Sequence, residues 1–123
     1  MYTRQALREL GVSPNTLTEA QTRQFDELGY FIVENVLSPE DCERMRDAFE
    51  RIHAAESEKG GHEVHVEPGA RRISNIFNKT DAFDKCLWVP EVLAASAHAL
   101  GEIKVHGANM RDPRPGHGLQ ALR

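Results

Sequence analysis

The densest group of possible metal ligands in the chain is His62-Glu63-Val64-His65-Val66-Glu67. On a strand, residues two apart share a face, so Glu63, His65 and Glu67 would point together, and His65-x-Glu67 has the spacing of two ligands in a histidine–carboxylate site. One histidine with two carboxylates makes a thin site, because facial iron sites draw on two histidines and one carboxylate. The segment therefore reads as an exposed polar strand or loop, and a small metal-binding protein using His65 and Glu67 stands as an alternative.

The remaining histidines add little to it. His53 and His98 fall in helical patterns and read as surface or partly packed residues. His117 lies between Gly116 and Gly118 with Leu119 two positions on, so its loop brings no second ligand. Cys42 and Cys86 form no C-x-x-C pair and read as small buried hydrophobes rather than as a disulfide or zinc site. No Ser-His-Asp order, phosphate-cradling glycine loop or dinucleotide fingerprint occurs.

Composition narrows the class. A chain of 123 residues has length for one domain, and 40% hydrophobic with 28% charged residues is the balance of an ordinary soluble protein. The net charge is −4 and the arginines are scattered, which speaks against nucleic acid as a partner. No apolar run reaches the roughly 20 residues of a membrane span and no signal peptide opens the chain, so a cytoplasmic location is expected.

The elements that would position any site are legible in part. Thr18 with Gln21 three residues on is a capping-box signature, and Gly29 supplies the stop, which predicts a helix over about 18–28. Tyr30 to Val33 reads as a short strand. Ser38-Pro39-Glu40-Asp41 is a strong helix start, and Cys42, Met45, Phe49 and Ile52 recur on one face of a helix running to about Glu58. Short strands follow at 63–66 and 72–77, then helical pieces at 81–88 and 90–100, a strand at 102–110, and a loop at 111–118. Leu119 to Leu122 looks like the start of one more strand. The order, helices first and short strands arriving late, reads as the front of a larger α+β or β-rich fold.

Read as a series, these motifs resemble a known family. "LTEAQTRQFDELGYFIVENVLSPEDCERMRDAFERI", from Leu17 to Ile52, is similar to the N-terminal signature of the phytanoyl-CoA dioxygenase family of non-haem Fe(II), 2-oxoglutarate-dependent oxygenases. "RRISNIFNK", "VPEVLAASAHALG" and "VHGANMRDPRPGHGLQAL" continue the resemblance. It implies an extension over 1–16 and, over 17–123, the N-terminal part of the family domain. The implied fold is the leading helices and first strands of a double-stranded β-helix, a jelly-roll or cupin-like architecture, left incomplete. The implied activity is hydroxylation of a small molecule, with Fe(II) and 2-oxoglutarate as cofactors in a complete domain.

In the family, Gln-x-Leu is followed at once by the iron-binding His-x-Asp. Here Gln120-Ala121-Leu122 is followed by Arg123, whose guanidinium has no acceptor lone pair for a metal. The expectation is a chain that stops before its iron-binding motif, with no catalytic or metal-ligating residue of the family type, and inactive in isolation. The resemblance places Asn109, Arg111 and Gln120 near the family's active site, where they would orient cosubstrate or substrate. The plainer alternative is a turn-stabilising Asn, a solvent-exposed Arg and a strand-edge Gln. A second functional reading is a non-catalytic interaction module or remnant, self-associating through an open sheet edge.

Overall fold

The computed structural model describes residues 3–56, 59 and 69–116. The elements in order are α1 (Thr3–Glu9), α2 (Glu19–Leu28), α3 (Pro39–Glu56), β1 (Ala70–Ile73), two 3-10 segments (Ile76–Asn78 and Asp81–Leu87), α4 (Pro90–Leu100) and β2 (Met110–Pro113). Mixed helices with a small antiparallel sheet fit the α+β expectation. The chain divides into two compact units, Met1–Ser38 with Asp84–Val105, and Pro39–Phe83 with His106–Arg123.

The second unit holds nearly all of the core. In α3, Met45, Ala48, Phe49 and Ile52 are buried, a set spaced three and four residues apart that forms one helical stripe. This stripe packs on β1, where Ile73 is fully buried, and Ile76, Ala82 and Phe83 complete the apolar cluster. β1 pairs antiparallel with β2 in the register Ala70 with Pro113, Arg71 with Asp112, Arg72 with Arg111 and Ile73 with Met110. Lys79 reaches back to Glu56 at the end of α3 at 2.5 Å.

The first unit has a different character. None of α1, α2 and α4 contributes a buried residue, and the exposed large hydrophobics Leu28, Tyr30, Ile32, Trp88, Val92, Leu100 and Val105 all belong to it. Its helices are well started nevertheless. Thr18 caps α2: its hydroxyl accepts the Gln21 N–H at 3.1 Å, while Gln21 Oε1 accepts the Thr18 N–H at 2.9 Å. Gly29 closes α2 at φ 79°, a left-handed position that glycine takes without steric cost. His98 of α4 meets Asp26 of α2 at 2.7 Å, Phe25 sits edge-on to Phe31, and Thr3 hydrogen-bonds Glu102. Phe25, Tyr30, Phe31, Val36, Val92 and Leu100 are among the residues that line an open groove of about 760 Å³.

Several expectations need correction. Tyr30 to Val33 forms no strand; Tyr30 and Ile32 are exposed, and among the described residues no strand lies beside the run for its β propensity to pair with. The strand expected at 72–77 is β1 over Ala70–Ile73, cut short by Asn75 in the left-handed region and the 3-10 turn after it. The strand expected at 102–110 begins only at Met110 and continues through Pro113 into the stretch read as loop. Cys42 and Cys86 are exposed, not buried: Cys42 lies one turn before the buried stripe begins. α1 was not anticipated. The expected strands at 63–66 and 119–122 lie outside the described residues. Among the described residues, no helix is long and apolar enough to cross a membrane.

Candidate functional site

The polar groups with the most defined geometry gather on the β1–β2 ribbon and the face of α3 beside it. Register fixes the pairing of Arg71 with Asp112, since residues directly opposite in an antiparallel pair project from the same face. Arg71 Nε donates to Asp112 Oδ2 at 2.7 Å. Its two terminal nitrogens donate to the two oxygens of Glu50 on α3 at 2.7 and 2.8 Å, a parallel fork that only a guanidinium supplies. The same guanidinium lies 4.9 Å from the centre of the Phe49 ring, and Phe49 stacks on His53 at 5.9 Å. One side chain thus joins a helix and both strands.

The electrostatics follow from these bonds. The hydrogen bond from Arg71 holds the Glu50 carboxyl below its ordinary value, with Coulombic help from Arg71, His53 and Arg114. Hydrogen bonds to Glu50 and then Asp112 push Arg71 further up, so it stays cationic and serves as an anchor, not a proton donor.

Two of the three residues singled out by resemblance stand at the start of the same strand. Asn109 is exposed, and its Oδ1 accepts the backbone N–H of Asn75 at 3.3 Å. Asn75 has φ 53°, so its backbone enters the turn from the left-handed region; one residue on, the Ile76 N–H donates to Ala108 O at 3.2 Å. Arg111 is exposed and directly opposite the buried Arg72; like charges in that position repel unless each has a partner, and both arginines do interact within the chain. Gln120 lies outside the described residues, as do His65 and Glu67. Arg71, Glu50 and Asp112 were missed by sequence reasoning, which passed over Arg71 as one of many scattered arginines. Their link is non-local, and the adjacency "RR" within "RRISNIFNK" was the only local hint of it.

Ser74 is fully buried, and its hydroxyl has no hydrogen-bond partner among the described residues. It lies between Ile73 and Asn75, inside the core rather than at an opening.

A family model described as phytanoyl-CoA dioxygenase (PhyH) matches residues 25–121. No curated protein and no solved structure matches the chain. An iron site of the kind associated with that family needs at least three convergent histidine or carboxylate side chains. Among the described residues no three His, Cys, Asp or Glu groups come together in that way. The described residues do not fit a resident iron.

Proposed function

This chain belongs to the phytanoyl-CoA dioxygenase family, and we propose that it is the N-terminal portion of a non-haem Fe(II), 2-oxoglutarate-dependent hydroxylase acting on a small molecule, without turnover of its own. The family match over 25–121 carries the reading. Two features support the limit on turnover: the sequence has no His-x-Asp, and Arg123 stands in the position after Gln120-Ala121-Leu122. In this reading the helices and the β1–β2 ribbon are the leading part of a double-stranded β-helix. Asn109, Arg111 and Gln120 orient cosubstrate or substrate rather than react with it, the usual role of polar groups around a metal site. The protein works in the cytoplasm.

The purified 123-residue chain, supplied with Fe(II), ascorbate and 2-oxoglutarate, is expected to release no succinate above the buffer background and to retain no stoichiometric iron after desalting. Succinate release together with one bound iron per chain would overturn the proposal.

A second reading is favoured by one observation. The exposed large hydrophobics are concentrated in a unit whose helices bury nothing, and apolar surface of that kind commonly marks a contact with another protein. In that reading the chain is a non-catalytic interaction module, and it self-associates. Sedimentation across a range of concentrations separates the two: a single monomeric species throughout would remove this alternative.

A further inference from the structure

Resting on the reading of Asn109 and Arg111 as ligand-orienting residues, we infer that Arg71 is the positioning residue for both, holding against α3 the strand that carries Arg111 and directly follows Asn109, without touching a ligand itself. Among the described residues β2 is four residues long and pairs with one other strand, so its ladder alone is a weak restraint. Arg71 adds a side-chain restraint at its centre: Asp112, the residue after Arg111, is bonded to Arg71 at 2.7 Å, and Arg71 is forked onto Glu50 of α3. At the other end of the same segment, Asn109 is tied to Asn75. Arg111 stands between these two ties.

The charge balance makes the tie specific. The groups facing Arg71 and Glu50 are Glu50 and His53 of α3, Asp112 of β2, and Arg114 just beyond it. Without Arg71, Glu50 and Asp112 would be two carboxylates meeting across the helix–sheet contact with no guanidinium between them. Lysine at position 71 would keep the charge but could not fork onto Glu50 while also reaching Asp112. Phe49, under the guanidinium, holds its plane in place.

Nuclear magnetic resonance of the full chain tests this, observing the Arg111 Nε–H and the Asn109 side-chain amide over a pH series, with the Ile73 methyl signals as a report on the core. In the native protein the Arg111 and Asn109 signals are expected to move in an acid step that follows Glu50, below the ordinary glutamate range. In Glu50→Gln the part of that step that follows Glu50 is lost while the Ile73 signals stay put. In Arg71→Lys the step shifts up towards the ordinary value, and in Arg71→Leu the Arg111 and Asn109 signals are displaced at every pH. The inference is overturned if the acid step is unchanged in Glu50→Gln, which keeps Arg71 and its bond to Asp112 and so does not depend on Arg71→Leu folding. It is equally overturned if Arg71→Leu leaves both signals at their native positions. The underlying reading is tested separately in an iron-binding member of the family, by replacing with alanine the residue at the position matching Arg111: an unchanged KM for 2-oxoglutarate removes the ligand-orienting role and leaves the outcome for Arg71 intact.

Discussion

Asn109 accepts the backbone N–H of Asn75 at 3.3 Å, so the side chain that resemblance assigns to the active site also braces the turn after β1. The Asn75 backbone is left-handed at φ 53°, a region where asparagine and glycine are tolerated and β-branched residues are not. Asn75→Gly is therefore expected to leave the urea midpoint nearly unchanged, whereas Asn75→Val should lose about 1–2 kcal/mol, the usual cost of forcing a side chain into that region. Equal losses for the two would show that the backbone conformation is not what selects asparagine there.

The fully buried Ser74 hydroxyl makes a sharper case, because no described residue satisfies it. A buried polar group left without a partner costs about 1–3 kcal/mol, and removing it relieves that cost. Ser74→Ala should raise the stability of the chain in urea unfolding. A drop would mean that the hydroxyl is satisfied after all, by a bound water for instance.

Stability should divide unevenly between the units. Phe83 is 2% exposed within the second unit, so Phe83→Ala is expected to cost about 3–5 kcal/mol through lost burial and the cavity left behind. Leu100 is 74% exposed, and Leu100→Ala should stay within about 0.5 kcal/mol. Hydrogen exchange gives the backbone counterpart: amides of α2 and α4, whose helices bury no residue, should exchange well before those of the buried stripe of α3. Slower exchange in α4 than in α3 would contradict the division.

How much of this the sequence disclosed depends on how local each signal is. The Thr18–Gln21 capping box and the Pro39 start of α3 rest on neighbouring residues, and both helices begin where those residues put them. Strands need partners, and there the reading slipped. Tyr30 to Val33 has the composition of a strand but no described neighbour, while Met110–Pro113, with an arginine, an aspartate and a proline, is a strand because Ala70–Ile73 lies beside it. At the candidate site, resemblance selected Asn109 and Arg111, which stand close together at the head of β2. It could not select the Glu50–Arg71–Asp112 network, whose members are 21 and 41 residues apart and meet only when α3, β1 and β2 are packed.

That network should also set the acid limb of stability. Glu50 has its folded-state carboxyl held below the ordinary value by the Arg71 hydrogen bond, so the folded chain binds that proton less readily than the unfolded chain does. The sign follows from linkage: the contribution is fully present above the unfolded-state value and is lost as pH falls through the lower folded-state one. The urea midpoint is thus expected to fall on acidification through and below the ordinary glutamate range. Glu50→Gln should start from a lower midpoint at neutral pH and show a shallower acid limb. Because Glu50 is half exposed, the effect should shrink as salt is raised. Native protein and Glu50→Gln with parallel acid limbs at low salt would show that the Arg71 fork contributes to geometry alone and not to the pH dependence of folding.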